Sequence, residues 1–303
     1  MDVEPPFHPL GRPTVALTLG GGAARGIAHI AMLEAFDELG LRPKVIAGCS
    51  IGAVIGACYA AGLTAQEIRA HLAPLVVGKR AILRRALSKP SKLFKLWSPR
   101  YPSIVDGPTL LEILLPDPVN TDFSHLAIPL HLMAVDYATM EPVVLNKGPV
   151  IPAITASASL PSLMRPVEID GRVLFDGGFA NPTPFDIVQD HADITVAVDV
   201  GGTPDMRKPV AAHSKEELWD GAFFALFNAV VREKEARRAP DIMLRPDVGL
   251  YRTMDFPNMD EILERSAPEK QRLKQFLSER VLGATPPQGP SGVAAHQGKS
   301  STI

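Results

Sequence analysis

The residues best suited to chemistry are a serine and an aspartate, each set among glycines. Gly48-Cys49-Ser50-Ile51-Gly52 has the spacing Gly-x-Ser-x-Gly. A serine on a sharp strand-to-helix turn needs neighbours without side chains, so that the backbone can bend and the hydroxyl stands clear at the mouth of a sheet. A helix starting there brings the positive end of its dipole near a developing anion. The chemistry this permits is nucleophilic attack on a carbonyl.

Upstream, Gly20-Gly21-Gly22-Ala23-Ala24-Arg25-Gly26 also reads as a strand-to-helix turn. Small residues there expose backbone N–H groups that can hold a negative charge. In acyl transfer that charge is the tetrahedral oxyanion. The rival reading, a phosphate or dinucleotide loop, fails two checks. No Lys-Ser or Lys-Thr pair closes the loop, and the next strand ends in Ala47-Gly48 rather than in an acid that would hold a ribose. A plain packing turn stays open.

Downstream, Asp176-Gly177-Gly178 follows an expected strand at 172–175 and puts a carboxylate at that strand's C-terminal end, where open parallel sheets place ligands. As a base it would take the Ser50 proton directly. Alone, Asp-Gly-Gly is most often just a turn. A conventional serine triad would instead need a histidine late in the chain, and His191 and His213 are the candidates. His191 reads as the end of a helix, His213 lies in a loop without flanking glycines, and His29, inside the first helix, reads as packing or capping. No Cys/His cluster has zinc spacing and no calcium loop is present, so no metal and no cofactor are expected.

The elements that must position these groups follow from hydrophobic pattern. Residues 14–19 are a short β-branched apolar run ending in three glycines, as a buried parallel strand does before a tight turn. Residues 27–39 have a helical period and end at Gly40. The pattern repeats with a strand at 44–47 and a small-residue helix at 53–61. Two consecutive βα units imply a parallel sheet covered by helices. Further strands are expected at 129–135, 142–145, 173–175 and 194–200, and helices at 151–159, 184–191, 216–238 and 259–280. The fold class is α/β, with three layers, α/β/α, and a mostly parallel central sheet.

Glycine loop, Gly-x-Ser-x-Gly and Asp-Gly-Gly, in this order, resemble the patatin-like phospholipases, and most closely their bacterial branch related to neuropathy target esterase. Ala156-Ser157-Ala158-Ser159-Leu160-Pro161 with Arg165-Pro166-Val167, and Asn181-Pro182-Thr183-Pro184, extend the resemblance over about 15–200. It implies a catalytic Ser50–Asp176 dyad and an elbow framed by Gly48 and Gly52. It also implies an Asp-Gly-Gly turn through Gly177 and Gly178, and an oxyanion hole around Gly21, Gly22 and Ala23 braced by Arg25. Ala23 stands where many members have glycine, which keeps the N–H but restricts the backbone. The implied activity is hydrolysis of lipid carboxylic esters through an acyl-enzyme. A non-catalytic scaffold relative and a lipid transacylase are the alternatives.

Composition bounds the rest. The 303 residues carry 31 basic and 33 acidic side chains, which argues against a protein built to neutralise nucleic-acid phosphates. Two cysteines, Cys49 and Cys58, in apolar surroundings fit a reducing compartment. Residues 1–13 read as an N-terminal extension without a signal peptide's apolar core, and no apolar run reaches the ~18 residues a spanning helix needs. The catalytic domain is expected over 14–202, a helical segment packing on it over 203–282, and a disordered tail over 283–303. Residues 79–105 form a basic flap. Arg84, Arg85, Lys92 and Lys95 interleave with Phe94 and Trp97, with no acidic residue from 79 to 100. That composition suits a segment lying on an anionic membrane, or a solvated lid over the site. A cytoplasmic protein, peripheral on the inner membrane face, is the expectation; oligomeric state is not legible.

Overall fold

The computed structural model describes residues 11–77, 107–161, 164–202 and 214–283. Most of the expected 1–13 extension, the whole 79–105 flap with Arg84, Arg85, Lys92, Phe94, Lys95 and Trp97, and the tail after Gly283 lie outside them. In chain order the elements are β1 (Val15–Leu19), α1 (Ala28–Glu38), β2 (Val45–Cys49), α2 (Ile51–Ala60), α3 (Ala65–Val77) and α4 (Gly107–Leu114). Then come β3 (Leu130–Asp136), β4 (Pro142–Leu145), α5 (Val150–Ala158), β5 (Val167–Ile169) and β6 (Arg172–Asp176). The chain continues with β7 (Ile194–Val198), α6 (Lys215–Arg237), β8 (Ile242–Leu244), α7 (Met259–Arg265) and α8 (Ala267–Arg280).

The strands form one mixed sheet, with β3, β2, β1, β7 and β8 adjacent and parallel. Alternation along the strands builds the layers. Val15, Leu17, Leu19, Val196, Val198, Ile242 and Leu244 point into the main core, shared with α1, α2, α7 and α8. On the opposite face Ala197 and Met243 pack with Phe185 and with Val231 of α6, and Ala16 packs with Val45, Ala47 and Val188. The sheet is thus covered on both faces, which is the three-layer α/β/α architecture. Lys270 of α8 ties that helix to α1 through Glu34 and Glu38, at 2.7 and 2.6 Å.

Three expectations change. The helix expected at 184–191 is a single 3-10 turn, Phe185–Ile187, because Phe185 and Val188 must both bury fully against the sheet while Val231 packs over Phe185. The helix expected at 259–280 is two helices. Pro268 has no N–H and its ring would strike the carbonyl one turn back, so the chain restarts at Ala267. The strand leading to Asp176 is antiparallel to β3, entered from a hairpin in which Asp170 (φ 51°) and Gly171 (φ 75°) make the tight turn after β5.

Candidate active site

The sheet register brings the serine and the aspartate together. Parallel β2 pairs with β3 up to Cys49 opposite Met133, and antiparallel β6 ends at Asp176 opposite Ala134. β4 occupies the other edge of β3 along Leu132–Val135, so β2 and β6 share one edge and meet end to end at adjacent residues. Ser50 follows β2 directly, at φ 53° and ψ −120°, and α2 starts at the next residue. Such a backbone is costly for a side-chain-bearing residue and is held by its surroundings. The flanking glycines allow it: a methyl group on Gly48 would lie 2.8 Å from Ala53 Cα, and one on Gly52 would strike the Leu19 carbonyl.

Ser50 Oγ donates to Asp176 Oδ2 at 2.8 Å, and the Gly178 N–H donates to Asp176 Oδ1 at 2.8 Å. Cys49 Sγ approaches Oδ1 at 4.0 Å. Asp176 is 3% exposed, and burial pushes its carboxyl up to about 6 against the opposing pull of the Gly178 N–H and the Ser50 hydroxyl. The end of α5 clamps both partners: Ser157 Oγ accepts from the Ser50 N–H at 3.0 Å, and the carbonyl of Ser159, the residue after the helix, accepts from the Asp176 N–H at 3.2 Å.

The glycine loop runs beside this pair, since a methyl on Gly21 would lie 3.4 Å from Ser50 Cβ. Gly20 N–H donates to Val198 O, Gly21 N–H to Pro182 O at 2.8 Å, and Ala24 N–H to Thr253 O at 3.2 Å. Gly21 is therefore not free to donate elsewhere, whereas the N–H groups of Gly22 and Ala23 have no acceptor among the described residues. Ala23 has φ 50°, the left-handed region that glycine adopts freely and alanine does not. Behind the loop Arg25, 4% exposed, donates from Nε to Tyr251 O at 2.6 Å, from Nη2 to Gly249 O at 2.9 Å, and from Nη1 to Gly201 O. Its guanidinium lies 3.7 Å from the centre of the Phe224 ring, and burial draws it down to about 10, still protonated at neutral pH.

A profile described as patatin-like phospholipase matches residues 17–188, from the third residue of β1 past the Asp-Gly-Gly turn. The chain belongs to the patatin-like phospholipase family. An uncharacterized NTE family protein of Mycobacterium tuberculosis is 38% identical over 192 residues, covering 63% of this chain and 50% of that protein. Lysophospholipase nte1 of Aspergillus fumigatus is 26% identical over 305 residues, covering 91% of this chain and 19% of that protein. The chain thus spans about half the length of its mycobacterial relatives and about a fifth of the fungal one. Among solved structures, VipD from Legionella pneumophila superposes with a TM-score of 0.49 at 14% identity, over 88% of this chain and 67% of that one.

Within this patatin-like domain no imidazole contacts the pair among the described residues. His29 is fully buried, and burial pulls it down to about 4, so it is neutral and donates from Nε2 to Gly20 O at 2.8 Å. His191 stacks at 5.4 Å on His131, and His213 lies outside the described residues. Among those residues no cluster of three or more His, Cys, Asp or Glu side chains is placed to hold a metal ion. Sequence reading missed the contributions of Ser157 and Ser159, although the Ala-Ser-Ala-Ser-Leu-Pro string that carries them was visible. It also missed the inner face of α6, for which no local motif exists.

Proposed function

We propose that this chain hydrolyses carboxylic esters of lipids through a Ser50–Asp176 dyad and an acyl-enzyme. The observation that carries the reading is the 2.8 Å bond from Ser50 Oγ to a buried carboxylate held near pKa 6, close enough to neutrality to accept and return a proton. Ser50 attacks the ester carbonyl as its proton passes to Asp176 Oδ2. The tetrahedral oxyanion sits on the N–H groups of Gly22 and Ala23, with the N-terminus of α2 adding its dipole, while Gly21 anchors the loop. Asp176 then returns the proton to the leaving alcohol. Water, deprotonated by the same carboxylate, releases the acid.

Apolar surroundings support a lipid substrate. Rings of Phe175, Phe179, Phe223 and Phe227 touch in series from the Asp176 strand to α6, at 5.6, 5.2 and 4.3 Å between centroids. Leu218 and Trp219 on α6 are 54% and 77% exposed. No helix among the described residues is long and apolar enough to cross a membrane, and the basic 79–105 segment has the composition to rest on an anionic surface. A fluorophosphonate probe tests the central claim. Wild type should label and Ser50→Ala should not; p-nitrophenyl esters of graded length, lysophospholipid and phospholipid then rank the acyl donors. Equal labelling of both proteins, or no turnover of any ester by a labelled wild type, would remove the reading.

A further inference from the structure

The long helix α6 lies outside residues 17–188, yet one stripe of it faces the machinery. Asp220, Phe224, Phe227, Val231 and Lys234 recur at spacings of four, three, four and three, which puts them along one side of a helix. Phe224, Phe227 and Val231 are buried. Phe224 carries the Arg25 guanidinium, and Phe227 fills the space that keeps Gly178 without a side chain.

The two polar ends of the stripe grip the two flanks of the glycine loop. At one end Asp220 accepts from the Thr253 N–H at 3.0 Å and from its hydroxyl at 2.8 Å. The Thr253 carbonyl in turn accepts from Ala24. At the other end the Lys234 ammonium, 13% exposed, has three acceptors for its three protons: Asn181 Oδ1, Thr183 O at 2.9 Å and Asp186 Oδ1 at 2.5 Å. These acceptors surround Pro182, whose carbonyl holds the Gly21 N–H at 2.8 Å. The loop approaches so closely that a methyl on Gly20 would lie 2.8 Å from Thr183 Oγ1. Between the two grips lie Gly22 and Ala23 alone.

We propose that Lys234 is a positioning residue for the oxyanion hole: through the 181–186 turn it sets where Gly21 sits, and so where the Gly22 and Ala23 N–H groups point. Asp220 does the same from the Ala24 side. Neither touches substrate. This rests on the reading of Ser50 as the nucleophile. The geometry also explains why lysine stands there, because a tripod of donors on a single nitrogen matches three converging oxygens and a planar guanidinium does not.

The test uses the full chain with Lys234→Met, Lys234→Arg and a control, Lys270→Met, which breaks an ion pair of similar length on the α1 side. Each is assayed below its own Tm for kcat, KM and the rate of Ser50 labelling by a fluorophosphonate. Expected for Lys234→Met is a fall of about 10–100-fold in kcat and in labelling rate with KM within about threefold, because a hole misplaced by a fraction of an ångström loses transition-state binding. Lys234→Arg keeps the charge beside Asp186 and should fold, with a fall of about tenfold. Lys270→Met should lose Tm and keep kcat. A kcat for Lys234→Arg equal to wild type, or losses that track Tm alike in all three variants, overturns the proposal even if Lys234→Met fails to fold. A wild type that neither labels nor turns over ester would instead refute the nucleophile assignment.

Discussion

Ser50 and Asp176 are neighbours because two strands running in opposite directions end on adjacent residues of one strand edge, at Met133 and Ala134 of β3. They lie 126 residues apart in sequence, and their 2.8 Å bond depends on register rather than on flexible reach. A one-residue slip of either strand would turn its side chains to the other face of the sheet. The buried carboxylate that results has consequences for both activity and stability.

Activity should titrate on Asp176. With the carboxyl near 6, kcat/KM for an uncharged ester should stay level above about pH 7 and fall about tenfold per unit once pH drops well below 6, as the base becomes protonated. A pH–rate profile on a short p-nitrophenyl ester measures this. A limb near pH 4 would mean that the base is an ordinary solvated carboxylate.

Stability should run the other way. The folded-state pKa of Asp176 is raised from 3.8 to about 6, so the folded protein holds this proton more tightly than the unfolded chain. The penalty for the buried charge is absent below about pH 4, grows between 4 and 6, and is complete above 6. Asp176→Asn can still accept from the Gly178 N–H through its carbonyl, and its amide NH2 can donate to the Ser50 hydroxyl oxygen, without the charge. It should therefore be inactive yet more stable than wild type by about 2–3 kcal/mol at pH 8, with the gap closing near pH 4. Urea unfolding at the two pH values decides it; a variant less stable at pH 8 would show that the carboxylate is well compensated.

Ala23 invites a substitution series. At φ 50° an alanine carries a cost on the order of 1 kcal/mol relative to glycine, which the unfolded-state freedom of glycine largely offsets. Ala23→Gly should thus shift stability by less than about 1 kcal/mol and keep kcat, because the N–H remains. A β-branched residue has no comfortable conformation there. Ala23→Val should lower kcat about 10–100-fold as the loop moves. Parallel kcat and Tm measurements test this, and a valine variant with wild-type kcat would exclude the Ala23 N–H from the hole.

The legible parts of the site were those built by local sequence. The glycine loop, the elbow around Ser50 and the strands at 15–19 and 45–49 each sit within one βα unit, where apolar alternation and glycine placement act over a few residues. The partnership of Asp176 was legible only through motif order, because the antiparallel approach of β6 depends on pairings with β3 some forty residues away. β5 and β8 are three residues each, too short to show a period. The helix expected at 184–191 was misread because Phe185 and Val188 share a helical spacing that a 3-10 turn under tight packing serves equally well. The role of α6 was invisible because Lys234 and Asp220 reach partners from 33 to 53 residues away in sequence, too far for any local pattern to show.

Arg25 provides the sharpest test of how the loop is braced. It serves three carbonyls, those of Tyr251, Gly249 and Gly201, and stacks on Phe224, all from segments beyond the family-matched region. Replacement by methionine fills much of the volume but leaves buried carbonyls without donors, at about 1–3 kcal/mol each, offset in part because a buried cation no longer has to be desolvated. A net loss of about 3–5 kcal/mol is expected. Arg25→Lys keeps the charge but cannot span three diverging acceptors from one nitrogen, so it should recover less than half of that loss. Chemical denaturation of the two variants measures the difference. If lysine restored wild-type stability, the charge alone would matter and the forked geometry would not. If methionine cost under about 1 kcal/mol, the three bonds would not hold the loop, and the position of Ala23 would have to come from Thr253 and Pro182 instead.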